Sequence, residues 1–413
     1  MSTSTRRAAT ATLVLLTSIN LLNYIDRYVV PPVFESLRRS EMHLSDVQLG
    51  WLMSGFLLIY TVTAPIFGWL GDTGRRPRAL AAGVALWSVA TALGGLAWSY
   101  LALLVSRGLV GIGEAAYGTI GPSLLADHFP PRTRGRAFTV FFMALPVGAA
   151  LGYMIGGFVD HHWGWRRVFF LAGVPGLLLA ALVARLAEPP RGASDARETS
   201  SRQEPLWTVG AAIRSLLTNR AYVLTVLGYA AYTFALGGIA AWMVSFLERV
   251  RGLPAGVATG SFGGIVVLTG IIGTFGGGWL GDRLLARSGQ AYLWLSGIAT
   301  LLAAPLFYVA LASPAPPVYW SATIGAELLM FASTGPINTA IISVVPAGIR
   351  ASAMALSVFT IHVLGDVQSP WLVGRISDHS SLQLAVLLLP AAALVGGAVW
   401  TYAAATTRAT PAA

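Results

Sequence analysis

Six charged side chains lie inside long apolar stretches of this chain, where charge is unexpected. They are Asp26, Arg27, Arg107, Glu114, Glu327 and Asp366, the last of which has His362 close by. A charged group at the centre of a membrane costs about 2.5–3.5 kcal/mol, so such residues generally have a partner or a function. The chemistry they offer is the binding of protons and anions. The alternative is a set of static ion pairs that fix helix packing.

Positions along the predicted helices pair some of these charges. At 1.5 Å per residue, Asp26 lies roughly 12 Å and Arg107 roughly 10 Å below the outer helix ends, with Glu114 roughly 21 Å down, near the midplane. We therefore expect Asp26 to contact Arg107. Burial favours a protonated carboxyl and a nearby arginine favours the charged form, so Glu114 is predicted to be the main proton carrier. The predicted proton-coupling residues are Asp26, Glu114, Arg107 and Arg27.

Other kinds of chemistry lack the residues they need. The chain has no Cys, which excludes disulfides, thiol catalysis and thiolate metal sites. Its six His are scattered, and the adjacent His161 and His162 fall in a predicted turn with Asp160, so we expect no metal and no cofactor. His362 and Asp366 are four residues apart and share one helix face, although a histidine in this setting is often simply packed.

Twelve predicted transmembrane helices position these side chains. The chain has 413 residues, is 55% hydrophobic and only 11% charged, and contains repeated apolar stretches long enough to span a bilayer. Only helices satisfy every backbone group inside lipid in such spans, so the predicted fold class is all-α integral membrane. The predicted spans are 10–34, 47–70, 79–99, 100–126, 136–158, 166–187, 220–246, 257–281, 289–312, 318–342, 351–373 and 382–405.

The loops indicate how the spans are oriented and divided. With both termini in the cytoplasm, cytoplasmic segments hold 18 of the 27 arginines, Arg408 among them, and external loops hold seven, which fits the positive-inside rule. These arginines form no basic face, so the net charge of +10 does not indicate nucleic-acid binding. The longest polar stretch divides the spans six and six. It predicts an N-terminal six-helix bundle at 1–187, a cytoplasmic linker at 188–219 and a C-terminal bundle at 220–413.

The two halves repeat a short motif at their predicted cytoplasmic faces. Residues 68–72 read Gly-Trp-Leu-Gly-Asp, and residues 278–282 repeat this string. Asp72 can accept hydrogen bonds from basic side chains, and such a contact would hold the halves in one state. The alternative is an ordinary charged turn. The predicted cytoplasmic gate consists of Asp72, Arg76, Asp127, Arg136 and Asp282.

Small residues accompany the charges in two of the spans. Gly111 and Gly113 lie between Arg107 and Glu114 in span 4, and small residues permit close contact between helices. Span 5 fits the glycine pattern of antiporter-type carriers at Gly148, Gly152, Gly156 and Gly157. It has Tyr153 where that pattern has proline, and simple helix packing explains the span 5 glycines equally well.

Several of these segments together resemble the Spinster family within the major facilitator superfamily. The matching segments are 23–28 (NYIDRY), 64–68 (APIFG), 106–115 (SRGLVGIGEA), 146–157, Glu327, 362–370 (HVLGDVQSP), Gly374 and 377–378. The resemblance implies a major facilitator fold and a bacterial relative of proton-coupled transporters of lysophospholipids and sphingosine-1-phosphate. It also implies that Asp26, Arg27, Arg107 and Glu114 form the polar centre of the N-terminal half.

The sequence therefore predicts a proton-coupled transporter that moves an amphipathic, anionic substrate by alternating access. Arg27 and Arg107 offer donor forks for a phosphate or carboxylate head group, and protonation of Glu114 is expected to release Arg107 for it. The predicted substrate-binding set adds Tyr24, Phe56, Tyr60, Tyr117, Tyr229, Tyr232, Phe234, Phe359 and His362, although aromatics also serve packing in membrane helices. We expect a monomer in the bacterial cytoplasmic membrane, with substrate, protons and membrane lipids as partners.

Two other functions remain open on the sequence alone. One is a major facilitator carrier of drugs or organic acids, because Asp26 and Glu114 could equally neutralise the arginines and leave a cavity for a neutral or cationic compound. The other is a membrane-embedded enzyme acting on lipids. Against the enzyme, the sequence offers no metal cluster, no Cys nucleophile and no Ser elbow motif.

Overall fold

The computed structural model describes residues 3–190, 209–285, 287–346 and 349–407, and within these ranges it contains helices and no strands. One of the helical segments, His362–Asp366, is a short π-helix. The helices are α1 (Thr3–Tyr28), α2 (Phe34–Arg39), α3 (Asp46–Thr73), α4 (Arg76–Gly94), α5 (Tyr100–His128), α6 (Pro131–Trp163), α7 (Trp165–Val183), α8 (Val209–Thr218), α9 (Arg220–Arg249), α10 (Ala255–Leu285), α11 (Ala291–Ala312), α12 (Pro316–Ser343), α13 (Arg350–Ile361), α14 (Gln368–His379), α15 (Leu382–Ala385) and α16 (Leu388–Thr406).

Each of the twelve predicted spans has a helical counterpart in the described residues. Eight of these counterparts are long and apolar enough to cross a membrane by length and composition, namely α3, α5, α6, α7, α9, α10, α11 and the α15–α16 segment. The other four are α1, α4, α12 and the α13–α14 segment. Several spanning helices begin with a side-chain cap from a serine or an asparagine. Ser45 and Gln48, for example, form a capping box at the start of α3.

The first span is where the predicted boundaries are furthest wrong. The sequence argument gave a helix over 10–34, whereas α1 begins at Thr3 and ends at Tyr28. Proline has no N–H to donate to the carbonyl four residues back, so the regular helix ends before Pro31, where a short 3-10 turn begins. Asp26 is therefore two residues from the end of α1 rather than roughly 12 Å below it, at 1.5 Å per residue.

The helices form two compact units. The first contains α1 to α7 together with Leu253–Gly264, where α10 begins, and the second contains α8, α9, the rest of α10 and α11 to α16. Helix α8 lies inside the stretch predicted as a linker, 188–219, and residues 191–208 of that stretch are outside the described residues. Arg408, counted for the orientation, is also outside them. The domain boundaries stay a prediction.

Glycines bring the helices of the first unit close together. A methyl group added at Gly111 would lie 2.6 Å from the Phe56 carbonyl oxygen of α3, and one added at Gly148 would lie 2.6 Å from the Tyr24 Cβ of α1. Gly152 likewise leaves no room for a side chain beside α1. Gly148 and Gly152 of span 5 thus pack on the helix that carries Asp26 and Arg27, in line with the helix-packing interpretation.

Candidate functional site

Asp26 and Arg107 meet inside the first unit, as expected from the sequence, although the depth predicted for Asp26 was wrong. Arg107 Nη1 lies 3.9 Å from Asp26 Oδ2, and both side chains are completely buried. The same carboxylate oxygen accepts a 2.8 Å hydrogen bond from the hydroxyl of Thr91. Helices α1, α4 and α5 therefore converge on one carboxylate.

Glu114 binds a different arginine from the one that the sequence argument gave it. Arg27 Nη2 donates a 2.8 Å hydrogen bond to Glu114 Oε2, whereas Arg107 was the expected partner. Asp26 and Arg27 are adjacent on α1 and point about 100° apart around its axis, so each reaches a different charge on α5. The sequence argument coupled Glu114 to Arg107 on its own helix, and it had no means of identifying Arg27 on α1 as the hydrogen-bond partner.

Three aromatic rings surround the Arg27 guanidinium. Its Cζ lies 5.4 Å from the ring centre of Tyr24, 5.0 Å from that of Phe56 and 5.3 Å from that of Tyr60. The Cζ of Arg107 lies 4.8 Å from the same Phe56 ring, which therefore contacts both guanidinium groups. Contacts of this kind can contribute about 2 kcal/mol each where the arginine is desolvated.

The group formed by Asp26, Arg27, Thr91, Arg107 and Glu114, called the N-terminal polar cluster below, has spare hydrogen-bonding capacity. Among the described residues, no hydrogen-bond partner is found for six of its buried atoms: Asp26 Oδ1, Glu114 Oε1, Arg27 Nε and all three guanidinium nitrogens of Arg107. Leaving a buried polar group unpaired costs about 1–3 kcal/mol, and more where the group is charged. Such a cluster is suited to binding a proton on a carboxylate or an anion beside an arginine.

A second polar pair lies in the second unit, on the π-helical segment. His362 Nδ1 lies 2.9 Å and 3.0 Å from the two carboxylate oxygens of Asp366. The Val367 N–H donates to the carbonyl of His362, five residues back, and Pro370 lacks the N–H that an ordinary helix would donate to Asp366. His362 and Asp366 are therefore carried by a π-helical turn rather than by a regular α-helix.

Helix α9 stabilises the π-helical segment through one hydroxyl. Thr233 Oγ1 lies 3.1 Å from the carbonyl oxygen of Ile361 and 3.0 Å from that of Ala230, and its one hydroxyl hydrogen is shared between these two acceptors. Gly365 faces this hydroxyl directly, and a methyl group there would also lie 2.8 Å from the Ala230 carbonyl oxygen. Close contact between α9 and the π-helical segment therefore depends on a glycine at 365.

The remaining intramembrane acid, Glu327, is buried in α12 with 2% of its surface exposed. In the part of the chain that the structure describes, it has no hydrogen bond or ion pair. Tyr232 is also buried and donates a 2.7 Å hydrogen bond to the carbonyl of Met330, one turn along α12 from Glu327. The Tyr229 ring centre lies 5.9 Å from that of Tyr232, and its hydroxyl accepts a 3.2 Å hydrogen bond from Asn338.

The other predicted substrate-binding aromatics have contrasting surroundings. Tyr117 is 1% exposed, donates a 2.6 Å hydrogen bond to the Leu16 carbonyl and packs on Trp87. Phe234 is half-buried and Phe359 is 47% exposed. Tyr117 therefore serves helix packing in the first unit, and a role of these residues in substrate binding stays a prediction.

The predicted gate residues include one buried ion-pair group. Arg76 Nη1 lies 2.6 Å from Asp127 Oδ2, and Arg76 Nε lies 3.2 Å from Glu188 Oε1. Arg76 also donates to the carbonyl of Pro189, so the start of α4 is bound both to α5 and to the chain that follows α7. Breaking such a group leaves charge without a partner in a place where water reaches it poorly.

The other three gate residues lie at the surface. Asp72 at the end of α3 and Arg136 on α6 are exposed, and within the described ranges neither side chain has an ion pair or hydrogen bond. In the second unit, Asp282 accepts a 2.8 Å hydrogen bond from the Tyr292 hydroxyl. The gating role of these residues stays a prediction.

Sequence reasoning missed Thr91, Glu188 and Thr233, which complete these contacts. A threonine in a membrane helix commonly donates to the carbonyl four residues back, as Thr61 does to Leu57, so residue type did not distinguish Thr91 or Thr233. Glu188 precedes two prolines and reads as part of a loop. No three His, Asp or Glu side chains come together to hold a metal ion anywhere in the described residues.

Eight described helices long and apolar enough to cross a membrane indicate a multi-pass membrane protein, and comparison with known proteins identifies its class. The model of the Major Facilitator Superfamily matches residues 16–370. Protein spinster homolog 3 of Danio rerio is 34% identical, with 96% of this chain and 84% of that protein covered. Protein spinster homolog 1 of Homo sapiens is also 34% identical, over 92% of this chain and 78% of that protein.

Solved structures show the same fold. A crystal structure of a bacterial homologue to the human lysosomal transporter Spinster superposes with a TM-score of 0.88, covering 98% of this chain and 99% of that one at 24% identity. A D-xylose–proton symporter gives a TM-score of 0.71 at 19% identity, over 94% and 96% of the two chains. The fold is thus that of the major facilitator transporters, with twelve spans in two six-helix bundles. The chain belongs to the Spinster family of that superfamily.

Proposed function

We propose that this chain is a proton-coupled secondary transporter that moves an anionic, lipid-like amphiphile by alternating access. The observation that carries the proposal is the N-terminal polar cluster, in which two buried carboxylates face two arginines with donors and acceptors to spare. A purely structural cluster is expected to satisfy its buried charges more completely, because each unpaired group destabilises the fold.

Glu114 is the proposed proton carrier, and Arg27 is the proposed partner of the substrate head group. A proton on Glu114 removes the charge that holds Arg27, which then has donors free for a phosphate or carboxylate. The sequence argument named both arginines for the head group and coupled the proton through Arg107, but the Arg107 side chain is completely buried, whereas that of Arg27 is 17% exposed. Proton and substrate would therefore be coupled through the Arg27–Glu114 bond.

The apolar part of the substrate needs a lining, and the rings around Arg27 offer one. Tyr24, Phe56 and Tyr60 present aromatic surface beside the guanidinium, so an amphiphile with its head at Arg27 would place its first methylene groups against them. We further propose a bacterial cytoplasmic membrane location, cytoplasmic termini, a monomer, and gating by Asp72 and the Arg76 group.

Competition binding to the purified protein tests the head-group assignment. The ligands are a lysophospholipid, a neutral analogue and a cationic amphiphile, all with the same tail. The anionic ligand should bind most tightly, and Arg27→Gln should weaken it about tenfold or more, because hydrogen bonds to charged groups contribute about 1.5–3 kcal/mol. Arg27→Lys keeps the charge without the donor fork, and Arg167→Gln, at an exposed position, is the matched control.

Two outcomes would contradict the proposal. Equal affinity for the anionic and neutral ligands, unchanged by Arg27→Gln, would show that no arginine reads the head group. Preference for the cationic ligand would favour a drug carrier instead. Uptake of the preferred ligand into proteoliposomes should also depend on an imposed pH gradient, and gradient-independent uptake would remove proton coupling from the assignment.

A further inference from the structure

Helix α8 is a ten-residue amphipathic helix of the second unit, and hydrogen bonds of Asn219 hold its C-terminal end in place. Asn219 separates it from α9, where the Asn219 side chain accepts a hydrogen bond from the Tyr222 N–H. The Asn219 amide also donates a 2.7 Å hydrogen bond to the Val344 carbonyl just after α12. The bend between α8 and α9 is therefore held by bonds on both sides.

One face of α8 packs on the second unit. Ala212 and Leu216 are buried one turn apart, in a cluster with Val344 and Ile349 from the connection between α12 and α13. Residues four apart lie on the same side of a helix, so these contacts fix which way the rest of α8 points. Helix α8 thus lies at the end of the unit where α9 begins, α12 ends and α13 begins.

The neighbouring face of α8 is apolar and exposed. Ile213 and Leu217, also one turn apart, are 41% and 62% exposed. At 100° per residue this pair lies beside the buried pair, whereas Ala211, Arg214 and Thr218 lie on the far side of the helix and are exposed. The apolar arc is therefore wider than the surface that the second unit covers.

Exposed arginines and an exposed tyrosine lie at the same end of the second unit as α8. Arg214 on α8, Arg220 at the start of α9 and Arg350 at the start of α13 are all exposed. Arg220 Nη2 donates a 2.5 Å hydrogen bond to the hydroxyl of Tyr402, which is 50% exposed on α16. Arginine and tyrosine together are typical of the level at which a spanning helix leaves the hydrocarbon for the head groups.

We propose that α8 is an interfacial helix that binds anionic phospholipid, with Ile213 and Leu217 in the acyl chains and Arg214 and Arg220 on the phosphates. A helix of this kind lies in the membrane plane with its apolar face a short way into the head-group boundary. Anionic lipid complements the three exposed arginines, and each arginine near such a surface favours binding about fivefold. A soluble partner would have to reach Leu217 at the point where the chain enters the bilayer through α9.

The chain has no Cys, so a single introduced cysteine can be labelled in the full-length protein without first replacing native cysteines. We would attach an environment-sensitive fluorophore to Leu217→Cys and, as matched control, to the adjacent exposed position Thr218→Cys on the polar face. After reconstitution, lipids with brominated chains should quench the label at 217 strongly and the label at 218 weakly. Equal quenching at both positions would overturn the proposal, as would a label at 217 shielded from lipid by another segment of the chain or by a protein.

A second measurement tests the head-group chemistry separately. Spin-labelled phosphatidylglycerol should quench the label at 217 more than spin-labelled phosphatidylcholine does. Arg214→Gln with Arg220→Gln should lower that preference, by about fivefold per arginine removed. Arg167→Gln, an exposed arginine of the first unit, should leave it unchanged. Unaltered preference in the double variant, with its elution volume and thermal unfolding native, would show that these arginines do not bind the lipid.

Discussion

Arg27 and Glu114 are joined by a 2.8 Å hydrogen bond that links α1 to α5, and Glu114 is completely buried while Arg27 keeps 17% of its side chain exposed. The bond therefore connects an interior acid to a group that other molecules can reach. A change in the charge of Glu114 alters the hydrogen bonding of Arg27 directly, because the two side chains share that bond. This relationship makes the first prediction specific to one residue.

Glu114→Gln should abolish uptake driven by a pH gradient while preserving exchange of labelled for unlabelled substrate. Glutamine resembles the protonated carboxyl in shape and charge, so the variant should remain in the proton-loaded form. Proteoliposomes with and without an imposed gradient provide the measurement. Glu41→Gln is the matched control, since the Glu41 side chain is 83% exposed. Full gradient-driven uptake in Glu114→Gln would exclude Glu114 as the carrier.

Asp26 and Arg107 should be energetically coupled. Either Asp26→Asn or Arg107→Gln leaves a buried charge without its partner, which typically costs about 3–5 kcal/mol. Together the two changes should cost less than the sum, by about 0.5–3 kcal/mol for residues in contact. Thermal unfolding of the wild type, the two single variants and the double variant measures this coupling as a double-mutant cycle.

A control cycle checks that the coupling is local. Asp26→Asn combined with Arg251→Gln should be additive, because Arg251 belongs to the second unit and donates there to the Leu311 carbonyl. Additivity in the Asp26–Arg107 cycle as well would show that the 3.9 Å approach contributes nothing.

The fold was predictable because lipid leaves the backbone few choices. Each predicted span corresponds to a helical segment, since apolar stretches of this length are helical wherever water is absent. The end of α1 was not predicted correctly, because hydropathy continues through Val29 and Val30 while Pro31 interrupts the backbone. Hydropathy averaged along the sequence does not detect a single proline that ends a helix.

The sequence predicted which charged residues form the N-terminal polar cluster, but not all of the contacts between them. Buried charge is costly in lipid, so Asp26, Arg27, Arg107 and Glu114 stood out by residue type alone. Which arginine binds which acid depends on rotation about α1, and adjacent residues differ in that rotation far more than in depth. Thr91 joins the cluster through a tertiary contact that no local pattern records.

Arg76 should matter to the stability of the first unit. Arg76→Gln removes the guanidinium that Asp127 and Glu188 share, and Asp127 is only 11% exposed. We expect a loss of about 1.5–3 kcal/mol, the range for hydrogen bonds to charged groups. Arg78→Gln, two residues away and exposed, should change thermal unfolding little. Equal effects of the two substitutions would mean that the buried ion pairs do not stabilise the start of α4.

The π-helical segment should depend on the hydroxyl of Thr233. Thr233→Val keeps the shape of the side chain but removes its donor to the Ile361 carbonyl, whereas Thr233→Ser retains the donor. A hydrogen bond of this type contributes about 1 kcal/mol, so amides near His362 and the Val367 amide that bonds to it should exchange with solvent about fivefold faster in Thr233→Val. Thr233→Ser should exchange at the native rate.

Gly365→Ala should have a larger effect than Thr233→Val, because its methyl group meets both the Thr233 hydroxyl and the Ala230 carbonyl. Hydrogen exchange followed by mass spectrometry measures all three. Native exchange in Thr233→Val would mean that the segment is stabilised by its own sequence, through Pro370 and the bond from Val367 to His362, rather than by α9.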